Sequence, residues 1–110
     1  MVGYNLLTAA VAVKVEHSYV SAKAATTWNE VVEISRLCDQ YKMIKANKCP
    51  KNLQDLVSAG LIGREKRDPW GNAYTITCPG AHDEVDVTSN GPDGRPDTGD
   101  DIKSWQKPHE

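Results

Sequence analysis

The chain has 110 residues, which is enough for one small domain. Hydrophobic residues form 39% of it and Phe is absent, so a folded core must rest on aliphatic side chains with three Trp and four Tyr. The formal net charge of -2 argues against nucleic acid as a partner, because phosphate binding requires clustered Lys and Arg.

The first long segment, residues 6–46, contains neither Pro nor Gly and predicts one continuous helix. Residues 6–13 are apolar on nearly every side, which suits burial among other helices or in lipid, although a membrane span needs about 20 such residues. We expect the start of this helix to pack against partner molecules and its later part to pack against its own domain. The later part carries an apolar stripe at helical spacing, formed by Val20, Ala24, Thr27 or Trp28, Val31, Ile34, Cys38 and Tyr41.

A short second helix is predicted after the end of the first. Asn47 and Pro50 mark the end of the long helix, and Asn52 is a candidate N-cap for the next one. Asp55 in its first turn favours the helix dipole, and the apolar residues continue to Leu61.

The last part of the chain has the pattern of short strands separated by turns. Residues 68–72 combine Asp, Pro and Gly in strong turn chemistry, with an Asp68 carboxylate that can accept backbone N–H groups. Alternating residues predict strands at 73–78 and 85–88, and Ile102 and Trp105 could tie the end of the chain back to the sheet. The sequence therefore predicts an α+β fold, in which a long N-terminal helix packs on a short helix and a small antiparallel sheet.

Four aspartates lie within nine residues of a Gly-rich loop: Asp93, Asp97, Asp100 and Asp101. Carboxylates held close together repel one another without a cation, and calcium prefers hard oxygen ligands in irregular loops. The spacing does not match an EF-hand, and magnesium, which keeps its waters, suits such a loop less well. A calcium site and a solvated acidic loop both remain open from these residues alone.

The motifs of catalysis are missing from the sequence. The histidines His17, His82 and His109 are scattered, and no serine stands in a nucleophile-elbow context. The neighbouring acids Asp83, Glu84 and Asp86 are expected to be solvated, and the three Trp are expected to belong to the core. We therefore expect no enzyme activity and no small-molecule substrate.

The order of motifs resembles the major pseudopilins of type II secretion systems, which are related to type IV pilins. The motifs are Cys49-Pro50 after the long helix, Asp68-Pro69-Trp70-Gly71-Asn72-Ala73-Tyr74, Ser89-Asn90-Gly91-Pro92-Asp93-Gly94, and Gly99-Asp100-Asp101-Ile102 with Trp105. The resemblance covers about residues 20–105. The turn motif and the loop motif are specific as a pair, although each alone would be weak.

The resemblance implies a pilin-like fold with one calcium ion in the loop. In this family, side chains that match Asp93, Asp100 and Asp101 hold the ion, and backbone carbonyls that match Asn90 and Thr98 complete its shell. A polar residue often stands at the position of Pro92, so that ligand would be absent here or replaced by water or by Asp97.

The resemblance also implies a function in secretion. Such subunits assemble into a periplasmic filament at the inner membrane, with other pseudopilins and inner-membrane secretion components as partners, and the filament drives protein export. Residues 1–20 would be the remnant of the assembly and membrane helix, and residues 21–110 the globular domain. Asn5 does not match the family's leader and Glu pattern, so we expect a truncated N-terminus or a divergent paralogue.

Two other functions are compatible with the same features. A type IV pilin or minor pseudopilin would have the same architecture in a different position or machine. A small secreted calcium-dependent binding module would be a monomer that uses the acidic loop to bind its ligand.

The cysteines Cys38, Cys49 and Cys78 form no C-x-x-C pair, and they are poor zinc ligands. They allow one disulfide with one free thiol in an oxidising compartment, or three thiols in the cytosol. The family pattern does not require them. Because Cys49 follows the long helix and Cys78 ends the first predicted strand, we expect these two to pair and Cys38 to be a buried thiol.

Overall fold

The computed structural model describes the backbone of residues 2–108 and the side chains of residues 22–108. Its elements confirm the predicted α+β fold. The predictions for residues 6–13, His17, Val20 and His109 concern side chains outside the described residues, and the division at residue 20 stays a prediction. The elements in chain order are α1 (Val2–Ile44), α2 (Leu53–Ser58), β1 (Thr75–Thr77), β2 (Asp86–Ser89) and β3 (Ile102–Lys103).

Helix α1 packs on the rest of the domain through the stripe that its sequence predicts. The sequence left open whether Thr27 or Trp28 belongs to this stripe. Thr27 is fully buried, and Trp28 is half-buried at the edge of the core. The helix ends where Ala46 and Asn47 adopt positive φ angles of 54° and 66°. The Asn47 amide donates to the Lys42 carbonyl at 2.7 Å, which satisfies a carbonyl of the last turn.

Helix α2 begins at the predicted cap. The Asn52 side chain accepts a hydrogen bond from the Asp55 amide at 3.2 Å, and the Asp55 carboxylate accepts one from the Lys51 amide at 2.8 Å. The helix is shorter than the apolar pattern predicts, because Gly60 adopts a φ of 76° and turns the chain after Ser58.

The three strands form an antiparallel sheet in the order β1-β2-β3. Ile76 is paired with Val87, and Ser89 is paired with Ile102, so β2 is the central strand. Apolar side chains from all parts of the domain meet between this sheet and the helices: Val31, Ile34, Cys38, Leu53, Leu56, Tyr74, Val85, Val87 and Ile102.

The expectation that Asp86 is solvated was wrong. Its side chain is only 4% exposed, and its two carboxylate oxygens accept hydrogen bonds from the amides of Ala81, His82 and Asp83 at 2.8–3.0 Å. The His82 ring lies 3.1 Å from the same carboxylate and stacks on Trp105, with ring centroids 4.1 Å apart. Trp105 therefore ties the end of the chain to the 80–84 loop, whereas it was expected in the core.

Cys49 and Cys78 form a disulfide, the pairing that we expected, and Cys38 is a buried free thiol. The disulfide joins the segment after α1 to the end of β1. Burial raises the pKa of the Cys38 thiol to about 12, and the neighbouring Asp39 carboxylate adds to this shift.

In the described part of the chain, no helix combines the length and the apolar character that crossing a membrane requires.

Candidate metal centre

The loop between β2 and β3, residues 90–101, is called the aspartate loop below. It leaves β2 at Ser89 and enters β3 at Ile102, and these two residues are paired in the sheet. Its first residues are also held by the turn at 68–72, because the buried Asp68 carboxylate accepts a hydrogen bond from the Ser89 hydroxyl. The pairing of Ser89 with Ile102 thus joins both ends of the loop to the sheet, and the turn at 68–72 holds its start a second time.

The loop brings three of the predicted ligands together. Carboxylate oxygens of Asp93, Asp100 and Asp101 lie within 4.8 Å of one another. The Asp93 amide donates to Asp100 Oδ2 at 3.1 Å, which holds the two ends of the loop together. Three carboxylates at this separation repel one another in the absence of a cation, and they are the hard oxygen donors that calcium prefers.

Thr98 contributes its side chain to this group of carboxylates. Its hydroxyl lies 2.6 Å from Asp100 Oδ1 and 3.0 Å from Asp101 Oδ1. The hydrogen bond from Thr98 is the main reason that the pKa of Asp100 lies below its usual value of 3.8. Burial opposes this shift, and the hydrogen bond from the Asp93 amide adds to it. The Asp100 carboxylate is therefore ionised at neutral pH, as a calcium ligand must be.

The two residues predicted to offer backbone carbonyls lie in the same loop, Asn90 at its start and Thr98 between Asp93 and Asp100. Asn90 begins the loop, and its side-chain amide reaches the Gly94 carbonyl at 3.5 Å. The Thr98 carbonyl accepts a hydrogen bond from the Asp101 amide at 3.3 Å. Their role as calcium ligands stays a prediction.

Asp97, considered as a substitute ligand, is not among the grouped carboxylates. It adopts a positive φ of 59°, and its amide donates to Asp101 Oδ2 at 2.8 Å, so its backbone orients Asp101. Pro92, the position at which the resemblance led us to expect a missing or replaced ligand, is exposed.

Two features of the centre were missed by reasoning from the sequence. One is the Thr98 hydroxyl, whose contact with two carboxylates could not be read from spacing alone. The other is Gly91, with a φ of 72°, where a Cβ would overlap the Asp100 carbonyl and lie 3.1 Å from Asp100 Cγ. The signal for Gly91 was available, since a glycine within a candidate ligand loop is compatible with a positive φ and with close approach of the backbone.

A long helix on a small antiparallel sheet, with an aspartate loop between the last two strands, defines a pilin-like subunit. The sequence profile of the family "Type II secretion system (T2SS), protein G" matches residues 14–105. The chain belongs to this family, which confirms the resemblance seen in its motifs.

Individual relatives and a solved structure agree with this assignment. The chain is 43% identical over 92 residues to the type II secretion system core protein G of Dickeya chrysanthemi, covering 70% of this chain and 60% of the relative. It is 41% identical over 93 residues to the Aeromonas hydrophila protein of the same name, covering 70% and 64%. The crystal structure of the major pseudopilin from enterohaemorrhagic Escherichia coli superimposes with a TM-score of 0.71 at 30% identity, covering 81% and 87% of the two chains. The chain thus spans about three fifths of the Dickeya relative.

Proposed function

We propose that the chain is a structural, non-enzymatic subunit of a periplasmic pseudopilus that drives protein export from the inner membrane, and that calcium stabilises its aspartate loop. The observation that carries the proposal is the convergence of Asp93, Asp100 and Asp101 in a loop attached to a pseudopilin sheet. Its partners are further copies of itself, other pseudopilins and inner-membrane secretion components.

The donor set fits calcium in number and kind. Three carboxylates supply the charge, the Asn90 and Thr98 carbonyls are the proposed neutral ligands, and water completes a shell of six to eight oxygens. When bound, the ion neutralises the repulsion between the carboxylates. The loop is then fixed between β2, β3 and the turn at 68–72, so that the surface around it has one shape.

Assembly is assigned to helix α1. The described α1 residues that pack on the core lie between Ala24 and Tyr41, whereas the helix begins at Val2. The first part of the helix is the segment proposed to pack against neighbouring subunits, because residues 6–13 are apolar on nearly every side.

Deleting the gene in its own bacterium and restoring it on a plasmid tests the secretion function. We expect the deletion to leave type II substrates inside the cell and the plasmid to restore their export, with an empty plasmid as the control. Normal export in the deletion strain, with no other copy of the family present, would refute the proposal.

The calcium part is tested on the purified protein. We expect calcium, but not an equal concentration of magnesium, to raise the melting temperature above that measured with chelator. At a hundredfold excess over Kd, binding to the folded form alone contributes about 2.7 kcal/mol. Equal melting temperatures with calcium and with chelator would contradict the proposal that calcium stabilises the aspartate loop.

A further inference from the structure

A buried series of contacts leads from the turn at 68–72 to the proposed calcium ligands. Asp68 is only 4% exposed, and its Oδ2 accepts the hydrogen bond of the Ser89 hydroxyl. The same hydroxyl oxygen accepts a hydrogen bond from the Gly91 amide at 3.2 Å. The Ser89 hydroxyl therefore has one orientation, because its single hydrogen is donated to Asp68 while a lone pair receives the Gly91 amide.

Gly91 connects this hydroxyl to Asp100. Its φ of 72° brings the backbone so close to Asp100 that a Cβ would overlap the Asp100 carbonyl and lie 3.1 Å from Asp100 Cγ. The Gly91 main chain therefore packs directly against Asp100. Since closely packed groups cannot shift independently, a movement of Gly91 would also move the Asp100 carboxylate.

A second contact joins the turn to the part of the loop that carries Asp93. Gly94, the residue after Asp93, has a φ of 67°, and a Cβ on it would lie 3.2 Å from Asn72 Nδ2. The Asn72 backbone amide in turn donates to Asp68 Oδ1 at 2.8 Å. The Asp68 carboxylate is thus linked through one oxygen to the segment at Asp93 and through the other to the segment at Asp100.

These links restrict the aspartate loop before an ion binds. The carboxylates of Asp93, Asp100 and Asp101 repel one another, so an unrestrained loop would let them separate. Bringing them together on binding would then cost conformational entropy and weaken the affinity. A loop that is already held by the turn at 68–72 avoids part of this cost.

We infer that Asp68 is a positioning residue for calcium: it holds the aspartate loop, through Ser89 and Asn72, in the conformation that binds the ion. Asp68 is not among the grouped carboxylates, and both of its oxygens are occupied by hydrogen bonds. The inference rests on the proposed function because it takes the loop to bind calcium. Loss of such an outer partner typically weakens metal binding about 10–100-fold.

Calcium titration calorimetry of the purified, chelator-treated protein tests the inference. Ser89→Ala and Asp68→Asn are each expected to raise the Kd for calcium about tenfold, and Asn72→Ala to raise it about threefold. The Kd separates positioning from stability, because a variant that remains folded binds with the affinity of its folded form. The matched control is Leu56→Val, which truncates a buried core side chain on α2, a helix that packs on α1. It is expected to keep the wild-type Kd.

The variants also separate positioning from charge. Asp68→Asn removes a negative charge that attracts calcium at a distance, whereas Ser89→Ala and Asn72→Ala leave the charge unchanged. A rise in Kd confined to Asp68→Asn would therefore overturn the inference. Asn72 is half-buried, so its variant keeps the test decisive where a buried variant does not fold.

The remaining outcomes distinguish this inference from the calcium site itself. Wild-type binding with an unchanged Kd in all three turn and strand variants would overturn the positioning role and leave the calcium site standing. An equal rise in Leu56→Val would also overturn it, because any loosening of the fold would then have the same effect. No calcium binding by the wild-type protein would overturn both the inference and the calcium part of the proposed function.

Discussion

The Ser89 hydroxyl donates a hydrogen bond to the Asp68 carboxylate at 2.7 Å, and both side chains are almost completely buried. The other oxygen of Asp68 accepts from the amides of Trp70 and Asn72, at 3.1 and 2.8 Å. One carboxylate therefore closes the turn at 68–72 and holds the start of the aspartate loop. The two sequence motifs that are specific only as a pair are parts of one hydrogen-bonded unit.

Replacing Ser89 should destabilise the fold. Ser89→Ala leaves Asp68 Oδ2 without its donor, and the Gly91 amide, which donates to the Ser89 hydroxyl at 3.2 Å, without its acceptor. Buried groups that lose their partners cost about 1–3 kcal/mol, so we expect a loss of about 2 kcal/mol in the free energy of unfolding measured with urea. Ser58→Ala, at an exposed serine, is the matched control. Equal stability of the two variants would show that the buried link contributes nothing.

Features fixed by local sequence could be predicted for this chain. The stripe on α1 and the Asn52 cap depend on residues three or four positions apart, and both were found where the sequence placed them. The grouping of Asp93, Asp100 and Asp101 was expected from the family resemblance, and the structure brings these side chains together.

Features that depend on distant segments could not be predicted in the same way. Strand alternation placed Asp86 on the solvent side, but the 80–84 loop folds over it and turns its amides toward the carboxylate. Gly80 makes this possible, since a Cβ there would lie 2.7 Å from Asp86 Cγ. The cleft lined by Ala24, Trp70, Pro92 and Ile102 is likewise formed by residues from α1, a turn, a loop and a strand, which no local pattern relates.

Asp86 should make the fold sensitive to acid. Burial alone would raise its pKa, but hydrogen bonds from Asp83, from the His82 ring and amide, and from Ala81 together hold it below the usual 3.8. Because the folded pKa is lowered, this stabilisation is present above pH 3.8 and is lost as the pH falls through the folded value. We expect Asp86→Asn to be less stable at pH 7 and to lose less stability than wild type on acidification, measured by urea unfolding.

The control for Asp86 is Glu65→Gln, which removes an exposed carboxylate. It should follow the wild-type pH profile closely. A profile of Asp86→Asn parallel to wild type down to the lowest pH that preserves the fold would contradict the assigned role of this carboxylate.

Within the aspartate loop, two carboxylates should behave differently toward calcium. Asp100→Asn removes a charge from the grouped carboxylates, whereas Asp97→Asn changes a side chain outside that group. We expect titration calorimetry to show calcium binding lost or weakened at least about a hundredfold in Asp100→Asn and changed little in Asp97→Asn. If Asp97→Asn loses calcium and Asp100→Asn keeps it, Asp97 is the ligand and the proposed shell is wrong.

The disulfide should contribute strongly to stability because the domain is small. Cys49 and Cys78 are 29 positions apart. Closing a loop of that size lowers the conformational entropy of the unfolded chain, which raises the free energy of unfolding by about 3 kcal/mol. We expect the Cys49→Ala/Cys78→Ala variant to lose about that much in urea unfolding.

Alkylation at pH 8 provides an independent check of the pairing. The buried Cys38 thiol, with its pKa raised to about 12, should react slowly in the native protein; unfolding should expose one thiol, and reduction should then expose all three. Rapid labelling of Cys49 or Cys78 in protein from an oxidising compartment, before any reductant is added, would show that the bridge is not formed.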